Sequence, residues 1–376
     1  MQLTAKQQIR VDVLTKYLNG QIYLSDALEI LEIKERQFRR VIKRFREKGI
    51  CSVLHGNVGR KPPNKTSEFV EHKIIKEYSL KYFDLNVTHF MEFFLADFPD
   101  LRVPSKSTVR KILLREKLIS PVKRKKRRLH PMRKRYEKEG IMVQIDGSHH
   151  RWFTGQAPLC LTAAIDDATG KIVGAKFTKT ETTFAAMDVV ESIIKEKGCF
   201  QMLYSDRAGI YGNGKREGYS NLERALRELG ISSLRASTPQ AKGRVERLFK
   251  TLQSRLCAEL RLNGINSMKD GNEFLESIFI EKFNKQFGVE PHSEELAYKE
   301  LDKKKDLNEI FSVRDHRIIS NGHVISLNSE KLQVESKDYL VGRSVEVRHY
   351  RDGSTKFLVS GKFVKVTRLF EDKKGA

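Results

Sequence analysis

MVQID, at residues 142–146, is a short apolar run that ends in a carboxylate, and two later segments answer it. QMLYSD, at 201–206, is again an apolar run ending in Asp. TPQAKGRVERLFK, at 238–250, carries Glu246 on a strongly helical stretch. An Asp at a strand end is aimed by the sheet that fixes its backbone, and a Glu on a helix beside that sheet closes a triangle from the side. Asp146, Asp206 and Glu246 therefore read as one three-carboxylate site. In-line attack on a phosphodiester needs such a site, because two divalent ions about 3.5–4 Å apart activate the attacking oxygen and stabilise the leaving one. Hard cations such as Mg²⁺ or Mn²⁺ take carboxylate and water oxygens, so three acids supply charge while leaving positions open for water and phosphate. One acid alone carries no such reading, since most acids are solvated surface charges.

QIDGSHHRWF (144–153), LYSDRAGIYG (203–212) and TPQAKGRVERLFKTLQSRL (238–256) resemble the core motifs of retroviral-integrase-like DDE transposases of bacterial insertion sequences, of the ISNCY type. The resemblance extends over most of the chain and is strongest over 142–262. It implies that Asp146, Asp206 and Glu246 are the catalytic, metal-holding triad, with two Mg²⁺ or Mn²⁺ ions per site. It also implies a ribonuclease-H-like core over 141–265, whose first and fourth strands are neighbours, and a homo-oligomer on paired transposon ends. The glycine-rich stretch 209–221 reads as a loop insertion between the second and third acids. Retroviral integrases carry an N-terminal zinc module of two His and two Cys; no such pattern occurs here, and no zinc is expected.

The 376 residues are enough for two or three domains, and the 39% hydrophobic content is enough for real cores. A net charge of +23 suits a polyanionic partner, here double-stranded DNA. A ribosomal-type or membrane-surface protein would also be basic, but neither needs three carboxylates set in apolar runs. No stretch approaches the roughly 20 apolar residues of a membrane span. MQLTAKQQIRV at the N-terminus lacks an apolar signal core, so a soluble cytoplasmic protein acting at the nucleoid is expected. Cys51, Cys160, Cys199 and Cys257 are not at metal-ligand spacing and read as free thiols.

The fold class expected is multidomain α+β: N-terminal helix-turn-helix units, the ribonuclease-H-like core, and a small C-terminal β-barrel. Residues 1–52 read as three helices. Val11, Leu14 and Leu18 lie on one face of the first, Ser25 is the expected cap of the second, and Phe38, Val41, Ile42 and Phe45 stripe the third. Arg36, Arg39, Arg40, Lys43, Arg44 and Arg46 occupy the third helix's other faces, as in a recognition helix entering a major groove; a plain bundle with a solvated basic face is the alternative. Residues 53–66 form a Gly/Pro linker whose Arg60 and Lys61 suit a minor groove or simply a linker. Residues 67–120 read as a second helix-turn-helix-like unit, with Val109, Ile112 and Leu113 buried and Arg110 and Lys111 exposed. The linker 121–140 contains Lys123, Arg124, Lys125, Lys126, Arg127 and Arg128 in unbroken succession, a phosphate-tracking arm between DNA-reading and DNA-cutting parts.

In the core, strands are expected at 142–145, 159–165, 172–179, 201–205 and 233–236, and helices at 184–195, 221–229 and 243–262. Lys242, Glu246 and Lys250 share a helix face, the lysines placed for phosphates or for ion pairs with Glu246. Arg244, Arg247 and Arg255 extend the basic surface, and Val245, Leu248, Leu252 and Leu256 form the buried stripe. His149 and His150 suit substrate contact or loop packing, Trp152 a packing anchor rather than a stacking platform, and Asp166 and Asp167 the opening of the turn to Gly170, with a place near the site as the lesser reading. Residues 266–312 read as a helical extension with Phe274, Ile278, Phe283 and Phe287 on its apolar stripe. Residues 313–370 read as short strands, with a hairpin at Asn321–Gly322, and resemble in outline the SH3-like barrel that ends many integrase-like enzymes. The function expected is a DNA transposase cutting transposon ends and joining them to target DNA. A metal-dependent nuclease of the same fold and a non-catalytic sequence-specific regulator are the rivals.

Overall fold

The computed structural model describes residues 3–54, 65–121, 134–205, 219–235 and 243–369. The chain divides into two compact units, residues 1–71 and 72–376. Among the described residues no helix is long and apolar enough to cross a membrane.

In the first unit, α1 (Ala5–Leu18), α2 (Leu24–Leu31) and α3 (Glu35–Lys48) enclose a core containing Leu14, Ala27, Phe38, Ile42 and Phe45. Thr4 and Gln7 cap α1 reciprocally, each side chain accepting from the other's backbone N–H. Two expectations change. Leu18 is 37% exposed and Val13 is buried instead, because α1 is touched by both α2 and the 3₁₀ turn Gly49–Val53. Ser25 does not cap α2: the helix begins at Leu24, two residues earlier than that cap implies, and the Asp26 carboxylate accepts from the Tyr23 N–H at 3.1 Å. The Ser25 hydroxyl donates to Asp26 instead of accepting from an N–H of the helix start.

The second unit opens within α4 (Glu68–Leu80) and continues with α5 (Val87–Asp97) and α6 (Lys106–Arg115). Asn86 caps α5 by accepting from Thr88 and His89, and Tyr78, Tyr82, Phe90 and Phe94 pack beneath it. Next come β1 (Met142–His150), β2 (Leu159–Asp166), β3 (Ile172–Thr178), α7 (Thr183–Lys197), β4 (Met202–Ser205), α8 (Asn221–Glu228) and β5 (Ser232–Arg235). They build one sheet in the order β3-β2-β1-β4-β5. The first three strands are antiparallel, whereas β1–β4 and β4–β5 are parallel, so the expected neighbours β1 and β4 do pair. Both faces of the central strands are covered, so β2 reads as nearly continuous apolar sequence instead of alternating. Val143, Ile145 and Leu203 pack with α7 and α8 on one face. Leu161, Ala163 and Ile165 pack on the other against Val245, Leu248, Phe249, Leu252 and Leu256 of α9 (Gly243–Leu262).

Beyond α9, α10 (Met268–Phe274), a π-helical turn Leu275–Phe279 and α11 (Ile280–Phe287) pack against β3. The π turn shifts the helical phase by one residue. Phe279 is therefore buried where Ile278 was expected, and Ile278 is 53% exposed. The outer edge of β3 is closed by side-chain amides: Asn284 exchanges two hydrogen bonds with Ile172 and Asn272 two with Phe177, each amide standing in for a neighbouring strand.

The chain ends, after the short α12 (Leu307–Ile310), in β6 (Val313–Ile318), β7 (Val324–Leu327), β8 (Glu330–Glu335), β9 (Ser344–His349), β10 (Thr355–Val359) and β11 (Lys362–Arg368). These form an antiparallel sheet ordered β6-β9-β10-β11-β8-β7 around Ile325, Val334, Val345 and Val347. A bridge between Ser320 and Val324 brings its two edges together, nearly closing a barrel. The hairpin expected at Asn321–Gly322 is reduced to that single antiparallel pair. Beyond it β6 pairs with β9 and β7 with β8, so the turn passes between the two edges of the sheet.

Glu309 fastens α12 to the barrel, accepting from Lys356, Arg348 and Tyr350 at 2.8, 2.8 and 2.6 Å. Burial works to raise its carboxyl pKa, but those three bonds outweigh it and hold the group at about 2. A depressed acid stabilises the fold fully above its ordinary pKa and loses that contribution as pH falls toward the folded one. Thermal midpoints should therefore drop between about pH 5 and pH 2, and Glu309→Gln should flatten that slope.

Candidate active site

Alternation along β1 decides which way Asp146 points. Val143 and Ile145 enter the core under α7 and α8, which leaves Gln144, Asp146 and Ser148 on the face covered by α9. The pairing agrees, since Asp146 sits opposite Ala163, a member of the α9-side core. Asp146 is not at the end of its strand, as expected, but in the middle, because β2 goes on pairing with β1 as far as His150. Pairing with β4 is described only to Gln144 with Tyr204. Ser205, buried, ends β4. Asp206 follows it in sequence and lies outside the described residues.

Two anchors hold α9 against this strand. Gln144 Nε2 donates to Asp167 Oδ1 at 2.6 Å, and Arg244 Nη1, in the first turn of α9, donates to the same oxygen. Further on, Gln253 Nε2 donates to Ser148 Oγ at 3.1 Å. From Gln144 to Ser148 the strand advances about 13 Å, and from Arg244 to Gln253 the helix advances about the same. Helix and strand thus run alongside each other, with Asp146 between the anchors. Glu246 lies two helical turns before Gln253 on the same flank, and Lys250 shares that flank. Glu246 and Lys250 are exposed and Asp146 is half-buried. Among the described residues no group of three His, Cys, Asp or Glu is placed to hold a metal ion; two of the three expected ligands are described.

The Asp doublet after β2 does more than open a turn. Asp166 does open it, accepting from the N–H and hydroxyl of Thr169 and from the Gly140 N–H. Burial pushes its carboxyl up against the pull of those bonds. Asp167, fully buried, turns the other way and gathers Tyr136, Gln144 and Arg244. Sequence reasoning missed Gln144, Ser148 and Gln253 and took Asp167 chiefly for a turn residue; the available signals were the two-residue period of β1 and the seven-residue step from Glu246 to Gln253. Trp152 is a packing anchor, its ring against Phe177 and His150. His149 is exposed. Cys160 is held protonated, its thiol pushed to about 11 by burial and by the carboxylates of Glu181 and Asp146.

No protein-family profile matches the chain. It is 35% identical over 355 residues to a Sinorhizobium fredii protein named as the transposase y4bF, covering 92% of this chain and 77% of the relative. It is 33% identical over 335 residues to the transposase for insertion sequence IS1202 of Streptococcus pneumoniae, covering 78% of this chain and 71% of the relative. The chain belongs to the insertion-sequence transposases. Among solved structures, the transposase is similar to a chain of the simian T-cell lymphotropic virus intasome in complex with PP2A regulatory subunit B56 gamma, with a TM-score of 0.34 and 13% identity over 80% of this chain and 100% of that one. It is also similar to the HTLV-2 integrase catalytic core domain in complex with magnesium, with a TM-score of 0.29 and 14% identity over 38% of this chain and 89% of that one.

The basic residues expected on DNA have different fates in the transposase. Arg36, Arg39, Arg40, Lys43 and Arg44 are exposed on α3, with Arg39 paired to Glu35. Lys111 is exposed and Arg110 half-buried on α6. Arg60, Lys61, Lys123, Arg124, Lys125, Lys126, Arg127, Arg128 and Lys242 lie outside the described residues. Arg244, expected on the basic surface, commits its Nη1 to the buried Asp167. Arg255 is a plain correction: it is buried and holds Glu92 of α5 with both terminal nitrogens, at 2.7 and 2.9 Å.

Proposed function

We propose that the transposase cuts the ends of its element and joins them to target DNA at a site formed by Asp146, Asp206 and Glu246. The observation that carries this reading is the bracketing of Asp146 by the two α9 anchors, with Glu246 on the Gln253 flank of that helix. Asp206 follows directly on the strand that pairs with the Asp146 strand, which supports its membership. The donor set fits hard cations, because it is all carboxylate and open to solvent at Glu246. Bound there, two Mg²⁺ or Mn²⁺ ions would supply activation of the attacking oxygen and charge stabilisation of the leaving one.

The residues of the chain bind and orient. Water opens the phosphodiester at the element's end and frees a 3′-hydroxyl, which then attacks target DNA by direct transesterification. No side chain serves as a covalent nucleophile. Lys250, beside Glu246, and Arg247 neutralise phosphates flanking the cut. Helices 1–52 and 67–120 act as helix-turn-helix units on the transposon ends, Arg36, Arg40, Lys43 and Arg44 entering a major groove. The 121–140 linker tracks phosphates, the ribonuclease-H-like core of 141–265 cuts, 266–312 extends it, and the 313–370 barrel supports assembly as a homo-oligomer on paired ends. The protein acts in the bacterial cytoplasm at the nucleoid.

The test is labelled end DNA incubated with the transposase in Mg²⁺, in Mn²⁺ and in chelator. Metal-dependent nicking at the end followed by joining to a second duplex supports the proposal. Cutting without joining would make it a nuclease, and binding with no metal-dependent chemistry a regulator.

A further inference from the structure

We propose that Asp167 is a positioning residue for strand cleavage, holding the strand of Asp146 and the helix of Glu246 in one fixed relation. This rests on the carboxylate site proposed above. Asp167 is fully buried, and its carboxylate collects donors from three separate segments. Oδ2 accepts from the Tyr136 N–H at 3.1 Å, near the end of the basic linker. Oδ1 accepts from Gln144, two residues before Asp146, and from Arg244, two residues before Glu246. Its own N–H donates to the Met142 carbonyl at 2.9 Å, so the hub is also tied to β1 through the backbone. Gln144 is itself buried, and its Oε1 has no partner among the described residues, so the bond to Asp167 is what orients that amide.

Helix geometry explains why this matters at Glu246. Nine residues separate Arg244 from Gln253, a rotation of about 900°, so the two anchors grip opposite flanks of α9. Rolling the helix to relieve one anchor strains the other. Glu246 lies on the Gln253 flank, and its direction toward the Asp146 face depends on both holds. Arg135 braces the hub from behind, donating to the carbonyls of Asp167 and Ala168 at 3.1 and 3.3 Å. It also lies where a Cβ on Gly170 would come within 3.1 Å of its guanidinium, at a residue whose φ is already +68°. The end of the DNA-tracking linker is thus seated on the group that links the two acids.

The experiment compares the full transposase with Asp167→Ala, Arg244→Ala, the double variant and Asp146→Asn on labelled end DNA. Each hub variant should cut about tenfold or more slowly while binding end DNA within about twofold of the parent. Each should also need severalfold more Mg²⁺ for half-maximal cutting, a shift that loss of stability alone does not produce. The double variant should be no worse than the poorer single one, because both break one unit. If Asp167→Ala does not fold, Arg244→Ala, whose side chain is 19% exposed, reads the same coupling. Cutting and Mg²⁺ demand like the parent's, additive losses, or a loss confined to DNA binding would overturn the proposal, provided Asp146→Asn is inactive. An active Asp146→Asn would instead sink the carboxylate site itself.

Discussion

Glu246→Gln is expected to reduce end cleavage and joining by roughly a thousandfold or more, about 4 kcal/mol in barrier height, with end-DNA binding retained. The substitution keeps the length and shape of the side chain and removes only its charge. Glu246 is exposed on α9, away from the buried stripe of Val245, Leu248 and Leu252, so the fold does not depend on it. A neutral amide is a weaker ligand for a hard cation than a carboxylate, and the loss falls on the chemical step. Asp146→Asn should match it, and the double variant should be no slower than either, since both empty one site. Single-turnover cleavage measured beside a gel-shift titration separates the two effects. A Glu246→Gln protein that cuts within about tenfold of the parent would remove this residue from the site.

Arg255→Ala is expected to cost about 2–3 kcal/mol of stability, which for a unit of this size lowers the thermal midpoint by roughly 4–10 °C. Arg255 forks onto both oxygens of Glu92, and its guanidinium lies 4.8 Å from the centre of the Phe287 ring. Removing one partner of a buried pair is costly because the other charge stays behind. Here Glu92 is 33% exposed and water recovers part of the loss, which places the estimate below the range for a fully buried pair. Arg255→Lys should restore less than half, since an ammonium cannot grip two oxygens in parallel. Burial works to raise the Glu92 carboxyl pKa, but the bond and charge of Arg255, together with the Gln286 bond and the His89 ring, outweigh it, so the group is held below its ordinary value. The pair therefore contributes fully above that value and fades as pH falls through the lowered one. In Arg255→Ala that share of the acid sensitivity should vanish, which melting curves taken below about pH 5 would show.

The same interface carries a second, more deeply buried pair. His89 Nε2 lies 3.0 Å from Glu259 Oε1, and Lys282 holds the other oxygen at 2.7 Å. Helix α5, read from sequence as part of a separate DNA-reading unit, is thus bolted along the helix that carries Glu246. Nothing in the local pattern announces this. Arg255 reads as a solvated cation from its charge, although seven residues after Leu248 it sits at the edge of the apolar stripe of α9, and its partner Glu92 stands 163 residues earlier. Asp167 was opaque for the same reason: it looks like a turn residue, and Gln144 and Arg244 are 23 and 77 residues away.

The apolar runs of β1 and β4, the period of α9 with its buried valine and leucines, and the turn before Gly170 follow from rules that act over a few residues. From these the strands β1 and β4, the helix of Glu246 and the candidate acids were legible. Only the tertiary structure decided which polar side chains leave the surface. A charged group is buried only where donors from distant segments converge to replace its water, and no window of sequence contains that convergence. The same holds for the phase shift that buries Phe279 in place of Ile278, and for strand partners in the barrel, where pairing across the sheet overrode the turn.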